Sequence, residues 1–101
     1  MIAEFSVIPI GSGVHMSGRL AKVMRAIDES GLDYRVSSMG TAVEGSWDPV
    51  MRLIKQCHLI LLSMSPRVLT HITIDDRKGA KGRLTGKVES VIRKTGRPLK
   101  T

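Results

Sequence analysis

Three observations predict an α+β fold. Apolar residues alternate in part near residues 2–10 and again near 67–75, with shorter strand-like runs at 33–38 and 41–44 about a Met39-Gly40 turn. Apolar residues recur at helical spacing between the 2–10 and 33–38 runs and again between the 41–44 and 67–75 runs. Glycine or proline punctuates most of the joins. A chain of 101 residues is long enough for one buried core and too short for two, so a single domain over 1–101 is expected.

The first run, IAEFSVIPI, is rich in β-branched residues and reads as a strand in which Ala3, Phe5 and Val7 share one face. Pro9 has no N–H to offer a ladder and is expected where that strand ends. The glycine-rich GSGVHMSG follows. Leu20, Val23, Met24 and Ile27 then fall at i, i+3, i+4 and i+7, the stripe of an amphipathic helix, with Ser17 as its N-cap and Gly31 just past its end. DYRVSS, the Met39-Gly40 turn and a strand from Thr41 to Glu44 form a hairpin. In SWDPV, Asp48 suits an N-cap and Pro49 the first helical position. Val50, Leu53, Ile54, Cys57 and Leu61 continue at helical spacing, and that helix stops before Pro66. RVLTHITID alternates Val68, Thr70, Ile72 and Ile74 against Leu69, His71 and Thr73, a fourth strand. After RKGAKG, Leu84, Val88, Val91 and Ile92 mark a third helix.

The order βαββαβ with a C-terminal helix is the ferredoxin-like arrangement, an antiparallel sheet with helices on one face. Strands one and four carry apolar residues on both parities, so the other face needs cover. A second copy of the chain is the expected cover, giving a homo-oligomer.

Hydrophobic residues make up 42% and charged residues 25% of the chain, the composition of a folded protein and not of a disordered one. Aromatics are confined to Phe5, Tyr34 and Trp47, so the core must be aliphatic with methionine filling. The lone Cys57 excludes an intrachain disulfide framework and points to a reducing compartment. MIAEFSV lacks the basic and apolar regions of a secretory signal, and no apolar run approaches the length of a membrane span, so a cytoplasmic protein is expected. The net charge of +7 is uneven. Residues 1–74 carry seven Lys/Arg against six Asp/Glu, and residues 75–101 carry nine against three. The excess belongs to the C-terminal quarter, which speaks against a basic nucleic-acid-binding fold.

Candidate chemistry gathers where the end of strand one, the start of helix one near Ser17, the Met39-Gly40 turn and the start of strand four near Arg67 fall at one end of the sheet. Hydroxyls beside a glycine loop and a helix N-terminus can hold a small polar ligand. GSGVHMSG is not a dinucleotide fingerprint, because Met16 stands where the third glycine belongs, and it carries no phosphate-cradling lysine. His15, His58 and His71 lack metal-ligand spacing, so no metal site is expected. Cys57 sits on an apolar stripe and reads as core. Asp75, Asp76 and Arg77 read as an ion pair at a strand end. Glu44 lies inside a predicted strand, where a carboxylate is disfavoured; facing inward it needs a partner, which a ligand nitrogen would satisfy.

IAEFSVIPIG, MGTAVEG, RVLTHITIDDR and LTGKVESV, in this order and spacing, resemble the small thiamine-binding protein family, related to the YkoF-type binders of thiamine and hydroxymethylpyrimidine. The resemblance spans nearly the whole chain. It implies a ferredoxin-like protomer, assembly into dimers or tetramers through sheet packing, and binding of thiamine or its pyrimidine as ligand, with no cofactor and no chemistry performed on it. Matched residue by residue, it places Gly11, Gly13 and Ser17 in the ligand loop, Ser38, Met39, Gly40 and Thr41 in the hairpin turn, and Glu44 as the hairpin acid. An aminopyrimidine offers a donor beside ring acceptors, and a thiazolium carries a charge that Glu44 can offset and Tyr34 or Trp47 can face. Carrier, buffer and sensor are the roles such binding allows. A nucleic-acid-binding domain using the basic C-terminal segment is the alternative, weakened because strand four offers Leu69, His71 and Thr73 where RNA-binding sheets display aromatics. A small enzyme with Glu44, Asp75 or Asp76 as base is a third, for which no nucleophile or cofactor motif argues.

Overall fold

The computed structural model describes residues 1–11, 17–79 and 81–101, with Ser17 described by its backbone alone. In chain order the elements are β1 (Ile2–Ile10), α1 (Ser17–Glu29), β2 (Asp33–Ser37), β3 (Gly40–Glu44), α2 (Trp47–Leu62), β4 (Arg67–Asp75) and α3 (Arg83–Thr95). The four strands form one antiparallel sheet in the order β2-β3-β1-β4, so the fold is ferredoxin-like with an added C-terminal helix.

Register sorts the side chains. Ala3 pairs with Val43 and with Ile74, and Phe5 pairs with Thr41 and with Ile72, so these residues share the face that α1 and α2 cover. The core there is aliphatic. Ala3, Phe5 and Val43 meet Val23 and Ile27 of α1 and Val50, Leu53, Ile54, Cys57 and Leu61 of α2, all at most 3% exposed. Each large side chain so buried contributes about 1.5–3 kcal/mol by leaving water. The remaining parity, with Glu4, Ser6, Ile8, Leu69 and His71, turns to the opposite face.

Pro9 lies inside β1, paired with Val68, and not at its end. The β1–β3 ladder finishes at Phe5 and Thr41, and beyond it β1 is bonded to β4 alone. The N–H that Pro9 lacks is therefore not needed on the β3 side. Two helix starts also shift. Ser17 is the first residue of α1 and not the residue before it. The N-cap of α2 is Ser46, which has extended backbone and makes no side-chain cap bond. Asp48 and Pro49 stand in the first turn of α2, where a carboxylate meets the positive end of the helix dipole and a missing N–H breaks no intrahelical bond. Gly31, at φ +76°, adopts the left-handed conformation that ends α1.

α3 is the outlier. It packs near β3 and β2 yet has no buried residue, and Val88 and Val91 on its apolar stripe stay exposed. It engages Glu44, whose neighbour Val43 faces the core, so α3 approaches the face that α1 and α2 leave open. The chain is correspondingly elongated, 46 × 29 × 21 Å, with a radius of gyration of 15.1 Å. A compact chain of this length has a radius of roughly 13 Å. Among the described residues no helix is long and apolar enough to cross a membrane.

Candidate functional site

The two ends of the sheet carry different chemistry. At the end where β1 finishes, Ile10 pairs with Arg67. Gly11 follows in the left-handed region, φ +80°, and a side chain there would press on Pro66, its Cβ 3.3 Å from Pro66 Cγ. Backbone conformation and close packing both require glycine here. Gly13 and His15 lie outside the described residues.

The β2–β3 turn stands at the same end but stops short of it. β1 runs on from Ser6 to Ile10 after its ladder with β3 has closed, roughly 16 Å of strand at 3.3 Å per residue. Within the turn, the Ser37 hydroxyl donates to the Gly40 carbonyl at 3.0 Å and accepts from the Met39 N–H at 3.3 Å. Ser37, which the resemblance did not single out, thus holds the turn's shape. Met39 is 85% exposed at the tip, beside Ser38. A Cβ on Gly40 would come 2.9 Å from the Phe5 carbonyl oxygen, so the close approach of β3 to β1 demands glycine. Thr41 pairs with Phe5 and points into the helix-covered core.

Glu44 parts from this group. It lies at the far end of β3, paired with Ile2 and Asp33, and its side chain takes the opposite face from Thr41. The expectation that it needs a partner holds, but that partner is the protein itself. Its Oε2 accepts the Arg83 N–H at 2.9 Å and its Oε1 accepts the Leu84 N–H at 3.4 Å. The residue before α3 is Gly82, left-handed and without a side chain to cap the helix. A carboxylate 39 residues upstream does that work, satisfying orphan donors at the positive end of the helix dipole.

Around Glu44 lies a cavity of about 240 Å³ lined by Met1, Asp75, Arg77, Arg83 and Lys87 among others. Asp75 is paired with Lys87 across the gap from β4 to α3. That bond, then the charges of Lys87, Arg83 and Arg77, hold the Asp75 carboxyl below its ordinary value. The sequence offered a signal for this cluster: the carboxylate pair and Arg77 after β4, and Arg83 and Lys87 at i, i+4 on one helix face.

The other candidates have structural partners. His58 Nδ1 lies 2.7 Å from the Thr70 hydroxyl, joining α2 to β4. The Tyr34 hydroxyl donates to Asp28 at 2.7 Å, which raises the phenol's pKa, and so ties β2 to α1. Trp47 is exposed at the start of α2. Cys57 is fully buried, and loss of solvent pushes its thiol up to about 11. Among the described residues no three His, Cys, Asp or Glu side chains are grouped to hold a metal ion.

The chain is similar to known proteins over nearly its whole length. A UPF0045 protein of Methanothermobacter thermautotrophicus is 38% identical over 95 residues, covering 91% of this chain and 96% of the relative. A UPF0045 protein of Methanocaldococcus jannaschii is 29% identical over 91 residues, and the crystal structure of the M. jannaschii protein superposes with a TM-score of 0.81 over 89% of this chain and 93% of that one. A crystal structure from Thermotoga maritima, whose provisional name places it in thiamine biosynthesis or salvage, shares the fold with a TM-score of 0.77 at 21% identity, covering 89% of this chain and 96% of that one. Residues 3–92 match the family described as thiamine-binding protein, and the chain belongs to that family.

Proposed function

We propose that this protein binds thiamine or its hydroxymethylpyrimidine moiety without performing chemistry on it, as a cytoplasmic carrier, buffer or sensor. The observation that carries the reading is the family match over residues 3–92. The proposed ligand site is the end of the sheet where β1 outruns the hairpin. Gly11 bounds it on one side and the Ser38–Met39–Gly40 turn on the other, and Gly13 and Ser17 are proposed as ligand-loop residues on the family resemblance alone. Thr41, pointing into the core, shapes the turn and does not contact the ligand. Glu44 drops out of the contact set because both its oxygens are engaged with α3. The charge of a thiazolium must then be met by another group or by solvent.

The same reading includes self-association. On the open face Ile8 and Leu69, paired across β1 and β4, are 41% and 42% exposed, and Val88 and Val91 of α3 are exposed as well. A second copy of the chain is the proposed occupant of this face. Sedimentation at micromolar concentration is expected to show a dimer or tetramer, and a stable 11.1 kDa monomer would refute it.

Calorimetric titration of the full chain tests the ligand. Saturable heat with thiamine or hydroxymethylpyrimidine and none with a short RNA supports the proposal. Salt-sensitive RNA binding with no response to either small molecule would replace it with the nucleic-acid reading.

A further inference from the structure

The cavity beneath α3 lies at the opposite end of the sheet from the proposed thiamine site, and its charges are unequally used. Both carboxylates have partners: Glu44 accepts two backbone N–H groups and Asp75 holds Lys87. The guanidinium groups of Arg77 and Arg83 make no hydrogen bond or ion pair among the described residues. They reach the cavity from different elements, Arg77 from the segment after β4 and Arg83 from the first turn of α3.

Gly86 bears on how Arg83 is placed. A Cβ on Gly86 would sit 3.4 Å from Arg83 Nη1, an ordinary contact distance, so the guanidinium lies beside the first turn of α3 at Gly86. Lys87 follows Arg83 by four residues, on the same helix face. Three cations thus line one concavity with only one of them paired.

We propose that this cavity binds the phosphate group of a small phosphorylated molecule, a monoester or a diphosphate, through Arg77 and Arg83, with Lys87 at its edge. Guanidinium presents a planar fork of donors that matches two phosphate oxygens at once, and two forks reaching a site from different elements grip a tetrahedral anion better than a flat carboxylate. The site does not depend on the α3 N-terminus, whose first two N–H groups belong to Glu44. A nucleic-acid backbone is disfavoured because the cations gather around one cavity of about 240 Å³ and do not line an extended groove.

The test is titration of the intact protein with inorganic phosphate and with pyrophosphate, followed by calorimetry and by amide chemical shifts. Saturable binding with a dissociation constant on the order of 1 mM or tighter is expected, with shifts centred on residues 75–77 and 83–87. Arg77→Gln and Arg83→Gln are each expected to weaken pyrophosphate about tenfold or more, without a change in melting temperature, since neither side chain holds the fold. Arg97→Gln, a charge removed elsewhere on the C-terminal segment, is the control and should leave affinity unchanged. Absence of saturable binding up to about 10 mM overturns the proposal. Equal weakening by Arg97→Gln also overturns it, because the anion would then be responding to diffuse charge. So does binding of a short RNA with no response to pyrophosphate. Failure of thiamine to bind has no bearing on these outcomes, so the two readings stand or fall separately.

Discussion

Replacing Glu44 by alanine removes the cap of α3 and should release that helix from the sheet before anything else unfolds. The side chain accepts one well-placed N–H bond at 2.9 Å and one long one at 3.4 Å, both from backbone donors at a helix N-terminus. Loss of a helix cap costs about 0.5–2 kcal/mol, and a hydrogen bond to a charged group is worth about 1.5–3 kcal/mol. With a half-buried carboxylate and one long bond of the two, a loss of about 1–2 kcal/mol is the reasonable expectation. α3 has no fully buried side chain to oppose its release, whereas Ala3 and Phe5 are locked into the core. Hydrogen exchange in the native protein should therefore show amides within α3 opening roughly 5–30-fold more readily, with β1 amides much less affected. Glu44→Gln keeps an acceptor and loses the charge, so its effect should fall between wild type and alanine. Equal acceleration of β1 and α3 would show that α3 is part of the global folding unit, and no change in α3 would show that the cap contributes nothing. Either result refutes the reasoning.

Gly40→Ala brings a Cβ to 2.9 Å from the Phe5 carbonyl oxygen, and backbone cannot yield cheaply there. The cost is expected at about 1–3 kcal/mol, read as a fall of several degrees in melting temperature. Asp75 has its folded pKa lowered by Lys87, so the stability it contributes is present above the unfolded carboxyl's value and is lost as pH falls through the folded one. Asp75→Asn should accordingly flatten the acid limb of a melting-temperature profile, and an unchanged limb would remove the pair from the account of acid sensitivity. Cys57, with its thiol near 11, has a thiolate fraction of roughly 10⁻⁴ at neutral pH. It should resist alkylation until the protein is unfolded, and rapid labelling of the native state would contradict its burial.

The local elements were determined by the sequence on its own. Alternation in RVLTHITID, the i, i+3, i+4 stripe from Val50 to Leu61 and the turn residues around Gly40 are short-range signals, legible because strand and helix periods impose them on neighbouring residues. The order of those elements was enough to point to a ferredoxin-like antiparallel sheet with helices on one face. Tertiary structure decided what depends on residues far apart in the chain. Pro9 looks like a strand end until the register shows β1 outrunning β3, and which face of β3 the helices cover, so that Thr41 is buried and Glu44 meets α3, is settled only by packing. No local pattern could assign Glu44 to α3, because the cap spans 39 residues and answers a deficiency, the bare left-handed Gly82, that exists only once the helix has been laid against the sheet. The cavity of Arg77, Arg83 and Lys87 arises the same way: each cation reads as one more charge in a basic segment, and only the packing of α3 against the end of the sheet gathers them around a common space.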